Sequence, residues 1–273
     1  MKTILFPTDF SKNADNALKY ALELAKRTSS GLILFNAYQM PHNRADIMVS
    51  IMDILKQDSE KGLKETLDKI KANPGYASVD CKTESHMGDV VSVADALVKE
   101  KNIELVVMGT RGASGLLETI IGSNTASMIQ HVGCPVLAIP ENCKYKIPAK
   151  ICFAYDLKEI KNPADMQFLI QLASLFNAEI QVLNVRPDPQ DQDMEQASAE
   201  VTLFHYLEGV KHDFFLSAAE DVIQGIQDFI KDHNIDMLVM VAHKYSFFEK
   251  IFHRSITRKL AFYTEIPLLA LHD

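Results

Sequence analysis

The chain has 273 residues, 47% of them hydrophobic and 23% charged, with a formal net charge of −8. That length favours two domains over one, and the composition is that of an ordinary globular protein, which excludes disordered, collagenous and fibrous classes. No apolar run approaches the ~20 residues needed to cross a bilayer, and the opening MKTILFPTDF is cut by Pro7 and Asp9 before it could form a signal-peptide core. Cys81, Cys134, Cys143 and Cys152 make no CxxC pair and no zinc spacing, so the reading is of reduced thiols in a cytoplasmic protein.

Taken in chain order, Thr3–Pro7 is an apolar run too short for a helix and suited to a buried strand. Ser11 is an N-cap, and Ala14, Ala17, Leu18, Ala21, Leu22 and Ala25 then recur at helical spacing. Leu32–Tyr38 is the next strand, Arg44–Lys71 a helix stopped by Pro74-Gly75, and Val79–Glu84 a strand. Val90–Glu100 is helical, Glu104–Met108 a strand, Ser123–His131 helical and Val136–Ile139 a strand. Strands alternating with helices in this way predict a parallel sheet with right-handed crossovers.

The chain then repeats itself. TILFPTD at residues 3–9 reappears as KICFAYD at 150–156, offset by 147. KNIELVVM at 101–108 reappears as HNIDMLVM at 233–240, and CPVLAIP at 134–140 as IPLLALH at 266–272, both offset by 132. The second copy is therefore 15 residues shorter in its middle. Its strands are expected near 150–155, 179–185, 210–216, 236–242 and 267–271, with helices between. Glu141–Ala149, bracketed by Pro140 and Pro148, is the expected linker, which gives domains at 1–147 and 148–273.

Charge divides the copies. Residues 1–147 carry 17 basic and 17 acidic side chains, and residues 148–273 carry 11 and 19. Between Arg186 and Asp236 three basic residues face twelve acidic ones. Such a surface repels nucleic acid and anionic membrane, so neither is expected as a partner. Lys244, Lys250, Arg254, Arg258 and Lys259 form a local basic cluster.

An open parallel sheet binds ligands outside the carboxyl ends of its strands, where the strand order reverses. The first and fourth strands are expected to flank that crevice. The loop after the first holds Pro7, Thr8 and Asp9. The loop after the fourth runs Gly109 to Gly115 and leads to Gly122-Ser123 at the start of a helix. Gly109, Gly112 and Gly122 are expected to allow φ > 0 and close approach of a ligand to the backbone. With the unpaired amides of the helix start and the Ser123 hydroxyl they suit phosphate oxygens. The loop is neither a Walker A sequence nor a dinucleotide GxGxxG, and from glycine count alone a plain surface turn stays open.

The spacing G-x2-G-x9-G-S at Gly109, Gly112, Gly122 and Ser123 resembles the ATP-binding signature of the universal stress protein family. ILFPTDFS at the start, ELVVMGTRGASG and GCPVLAIP resemble that family's first strand, fourth strand with its loop, and last strand. The resemblance spans the chain as two tandem copies. It implies an α/β fold of two doubly wound five-stranded parallel sheets, each in the order 3-2-1-4-5, of the adenine-nucleotide alpha hydrolase-like type. It implies ATP as ligand, with Pro7, Thr8 and Asp9 beside adenine and ribose, Ala37 against adenine, and Met108 and Gly109 beside the ribose. Gly112, Gly122, Ser123 and Asn124 would meet the phosphates; Arg111 would reach them or stay a solvated loop arginine. Asp9 would help hold Mg²⁺ brought with the nucleotide, or serve as an acid at a helix N-terminus. Asn124 departs from the small apolar residue expected there. The two copies are expected to pair as an intramolecular pseudo-dimer, with a homodimer of chains left open.

The second copy departs from the motif. The offset of 132 sets Val241, Lys244, Arg254 and Ser255 where Gly109, Gly112, Gly122 and Ser123 stand, so only the serine persists. Asp156 persists opposite Asp9. The second copy is therefore expected not to bind ATP in the family's manner and to serve structure or a partner. Three functions remain: an ATP-binding stress-response regulator, a slow ATP hydrolase or phosphotransferase, and a ligand-free interaction module. No catalytic base or paired carboxylate is evident for the second.

Overall fold

The computed structural model describes residues 1–39, 48–110, 122–156, 163–187, 194–242 and 265–272. The described residues divide into two compact units, one within residues 1–141 and the other within 142–272. Among the described residues no helix is long and apolar enough to cross a membrane.

The first unit runs β1 (Thr3–Pro7), α1 (Lys12–Thr28), β2 (Gly31–Tyr38), α2 (Met48–Ala72), β3 (Cys81–Met87), α3 (Val90–Lys101), β4 (Leu105–Gly109), α4 (Ser123–His131) and β5 (Val136–Ile139). Its strands lie in the order β3-β2-β1-β4-β5, and every neighbouring pair is parallel. Ile4, Leu5 and Phe6 of β1 are each 0% exposed. Both faces of a central parallel strand are covered, which is why β1 reads as a continuous apolar run without alternation. Each such side chain contributes roughly 1.5–3 kcal/mol of transfer free energy.

Helix α1 begins where Ser11 accepts a bond from the Ala14 amide, and it buries Ala17, Leu18, Ala21, Leu22 and Ala25 against the sheet. It ends at Ser29 in a left-handed conformation, with Lys26 and Arg27 in the last turn, where the helix dipole favours cations. Helix α2 turns Ser59, Leu63 and Ile70 inward, and Ser59 is hydrogen-bonded to Ser85 of β3 at 2.7 Å.

The second unit runs β6 (Lys150–Ala154), α5 (Pro163–Phe176), β7 (Glu179–Arg186), α6 (Met194–Tyr206), β8 (His212–Ala218), α7 (Val222–His233), β9 (Met237–Ala242) and β10 (Leu268–His272). Its order, β8-β7-β6-β9-β10, is that of the first unit, again with parallel neighbours. The helix expected between β9 and β10 falls outside the described residues.

The sequence offsets reappear in the register. Ile4 pairs with Leu105, and Ile151 with Met237. Capping repeats too: Asp89 accepts the Val91 and Ser92 amides at the start of α3, and Asp221 the Ile223 and Gln224 amides at the start of α7. The amino ends of the first and fourth strands are pinned alike. Glu104 accepts the Lys2 amide at 2.9 Å, and Asp236 the Ala149 amide at 2.8 Å. Helix α2 has 25 residues and its counterpart α6 has 13, so the shortening of the second copy falls there.

Two strand starts differ from expectation in the same way. β3 begins at Cys81, not Val79, because Val79 still closes a turn by donating to the Tyr76 carbonyl. β8 begins at His212, not Val210, because Val210 donates to Leu207.

Candidate functional site

β1 lies between β2 and β4, so the chain leaves β1 toward β2 and β3 and returns on its other side at β4. The reversal point is the gap beyond the carboxyl ends of β1 and β4, where such folds bind ligands. Residues from both strand ends and from the start of α4 meet there.

The turn after β1 is built from side-chain to backbone bonds. Pro7 is buried and pairs with Phe35 of β2. The Thr8 amide donates to the Phe35 carbonyl at 2.9 Å, and the Thr8 carbonyl accepts from Asn36 Nδ2 at 2.7 Å. Thr8 Oγ1 accepts the Phe10 amide at 3.0 Å, and Asp9 Oδ1 accepts the Ser11 amide at 3.1 Å. Asp9 is exposed. Phe10 sits at φ 62°, in the left-handed region, which costs a non-glycine residue roughly 1–2 kcal/mol. Ala37, the penultimate residue of β2, is half-buried.

Met108 and Gly109 end β4 and are buried, with Gly109 paired to Ile139 of β5. Neither Gly109 nor Gly122 uses the positive φ that glycine allows. Gly109 holds strand geometry and is not among the positive-φ glycines, and Gly122 has φ −62° and ψ 157°. What requires glycine at 109 is a neighbour. A Cβ there would lie 2.8 Å from Nδ2 of Asn13, a residue in the first turn of α1 that is 4% exposed. This contact brings the start of α1, directly after the Asp9 turn, onto the end of β4.

The base of the loop between β4 and α4 is clamped. Gly122 N donates to the Thr110 carbonyl at 2.6 Å, and the buried Thr125 hydroxyl donates to the Gly109 carbonyl at 3.0 Å. The Gly122 amide is thus engaged with the protein, and Gly122 acts as N-cap of α4. Ser11, Asp89 and Asp221 each close their helix with a side-chain oxygen, whereas Gly122 has none to offer. Ser123 and Asn124, both exposed, begin α4 there. Partial positive charge at a helix start favours an anion. Arg111 and Gly112 lie outside the described residues.

The second unit shares the frame of this site but not its surface. Val241 pairs with Leu271 as Gly109 pairs with Ile139, so the two positions match in three dimensions as in sequence. The Thr8 brace recurs at Tyr155, whose amide donates to Leu183 at 3.0 Å and whose carbonyl accepts Asn184 Nδ2 at 3.0 Å. The Tyr155 ring is buried and stacked on Phe153 with centroids 5.1 Å apart. Asp156 is half-buried. Lys244, Arg254 and Ser255 lie outside the described residues.

Among the described residues no group of three or more His, Cys, Asp or Glu side chains could hold a metal ion. A Mg²⁺ at Asp9 would therefore take most of its ligands from phosphate oxygens and water. Sequence reasoning missed Asn13, Asn36 and the Phe10 conformation. The repeat offered one signal, since Asn36 and Asn184 occupy the same place in FNA and LNV.

Known proteins agree with this architecture. The sequence profile of the universal stress protein family matches residues 1–140 and again residues 149–272. Universal stress protein Sll1654 of Synechocystis is 31% identical over 139 residues, covering 51% of this chain and 85% of that protein. Universal stress protein Slr1230 of the same organism is 24% identical over 290 residues, covering 98% of this chain and 99% of its own. A crystal structure of a universal stress protein from Archaeoglobus fulgidus superposes with a TM-score of 0.72 at 17% identity, over 99% of this chain and 96% of that one. With the profile matched twice across almost its full length, the chain belongs to the universal stress protein family and carries two tandem copies of its domain.

Proposed function

We propose that the first unit binds ATP beyond the carboxyl ends of β1 and β4, and that the protein acts as a nucleotide-responsive stress regulator. The observation that carries this reading is the start of α4. It is the one described N-cap without a side-chain oxygen, it stands at the strand-order reversal, and it closes the G-x2-G-x9-G-S motif. In this reading the exposed Ser123 and Asn124 meet the phosphates, with Gly112 and Arg111 from the loop. Pro7, Thr8 and Asp9 line the adenine and ribose, Ala37 borders the adenine, and Met108 and Gly109 lie beside the ribose. Gly122 contributes by lacking a side chain, not by donating its amide. Any Mg²⁺ arrives with the nucleotide and meets Asp9.

The second unit keeps the frame without the motif and serves structure or a partner. Val241 at the position of Gly109 supports this. Equilibrium dialysis of the full chain against ATP tests the site. Saturable binding is expected, weakened at least about tenfold by Asp9→Ala, which deletes a polar contact to the ligand. Absence of saturable binding up to millimolar ATP would end the proposal.

A further inference from the structure

We infer that Phe10 and Gly62 form a lock that positions the Thr8–Asp9 turn and makes the nucleotide site answer to helix α2. The inference rests on the site reading above and adds to it a pair of residues outside the G-x2-G-x9-G-S motif.

The backbone supplies the first observation. Five described non-glycine residues have positive φ: Phe10, Ser29, Asn102, Asn177 and Asn234. Ser29, Asn102 and Asn234 are the C-caps of α1, α3 and α7, and Asn177 directly follows α5. A left-handed residue is the ordinary way to end a helix, and asparagine suits it. Phe10 ends no helix and is aromatic, so its conformation needs support from elsewhere.

Helix α2 supplies that support. A Cβ at Gly62 would lie 2.6 Å from Cζ, 2.7 Å from Cε2 and 2.9 Å from Cε1 of Phe10. The ring tip therefore occupies the place of the side chain that Gly62 lacks. Glycine within a 25-residue helix is otherwise a poor choice, second only to proline in its cost. The ring accounts for it. Leu63 next to Gly62 and Ser59 about one helical turn before it are buried, and Ser59 is bonded to β3, so the ring rests on an anchored helix.

The consequence is local and directional. The amides on either side of the strained bond, Phe10 and Ser11, are held by Thr8 Oγ1 and Asp9 Oδ1. Were the ring displaced, the Thr8 and Asp9 side-chain bonds would have to hold φ near 62° without it, and relaxation at Phe10 would redirect the Asp9 carboxylate and the Ser11 cap together. Phe10 and Gly62 are positioning residues. By linkage, a bound nucleotide that needs the turn in place would in return hold α2 more firmly.

Gly62→Ala, Phe10→Gly and the double variant test this in the full chain. Phe10→Gly tolerates the positive φ while deleting the ring. In ligand-free protein, residue-resolved hydrogen exchange at the Phe10 and Ser11 amides is expected to speed up at least about fivefold in Gly62→Ala. ATP affinity is expected to fall by about fivefold or more, with no drop in melting temperature, because alanine is the better helix former. Added to Phe10→Gly, Gly62→Ala is expected to change neither exchange nor affinity further. Wild-type exchange at both amides in Gly62→Ala, or effects of the two substitutions that simply add, would overturn the lock. If wild-type protein took up no ATP, the site reading would fall, and the exchange pattern alone would decide the lock.

Discussion

The two halves share one scaffold and differ where a ligand would sit. Both place the first strand between the second and the fourth, both brace the end of the first strand with an asparagine, and both cap the third helix of the unit with an aspartate. At the crevice the first half presents Thr8, Gly109 and Gly122, and the second presents a buried Tyr155 and Val241. The frame of this fold thus persists where the glycine motif does not. The braces and caps are stability devices, and under the proposed function the small residues at the first crevice are the part that a ligand would need.

Matched substitutions sharpen the comparison. Phe6 and Phe153 occupy the same place in β1 and β6 and are both fully buried. Phe6→Ala and Phe153→Ala are each expected to cost about 3–5 kcal/mol in urea denaturation. A cost in one half far below the other would mean that the repeat does not extend to packing. Next in size are the caps: Asp89→Ala and Asp221→Ala should each cost about 0.5–2 kcal/mol, read in the same way.

The asparagine braces separate frame from site more finely. Asn36→Ala and Asn184→Ala should each remove about 1 kcal/mol of stability. Asn36→Ala should also weaken ATP binding, because it releases the Thr8 carbonyl, while Asn184→Ala should leave binding unchanged. Equal effects on binding would erase the distinction between the halves.

The smallest effect is a pH dependence at Asp236 of the second half. Burial alone would raise the Asp236 pKa, but the Lys146 ammonium and the Ala149 and Lys150 amides outweigh it and hold the carboxyl below the usual range. A depressed folded-state pKa favours the ionised form on folding. Its contribution is fully present above the unfolded-state value near ~4 and is lost as pH falls through the folded value. Wild-type stability should therefore fall toward that of Asp236→Asn as the medium is acidified from about pH 5 to pH 3. A constant difference across that range would contradict the assignment.

Much of this frame was legible in the residues because it depends on local pattern. Ser11 before an apolar stripe, and the paired β1-like and β4-like runs, mark element starts and the duplication directly. The site was legible as a motif but not as a set of contacts. Glycine spacing located Gly109 and Gly122, yet the reason for Gly109 is the Asn13 side chain 96 residues earlier, which no local pattern reports. Phe10 and Gly62 were invisible for the same cause: each is unusual in its own element, and the contact that explains both exists only after folding. The misplaced starts of β3 and β8 have a different origin. Val79 and Val210 are β-formers still held in turns, where backbone bonding outweighs propensity.

The account turns on the uncapped start of α4, and Gly122→Asp examines it most directly. The backbone at φ −62° and ψ 157° is one an aspartate adopts freely, and its carboxylate can cap α4 as Asp89 and Asp221 cap α3 and α7. It would also set a carboxylate against the incoming phosphates. Calorimetric titration with ATP should show one site per chain in the wild type and none in Gly122→Asp, whose melting temperature is not lowered. Two equivalent sites per chain, or a single site that survives Gly122→Asp, would contradict the account.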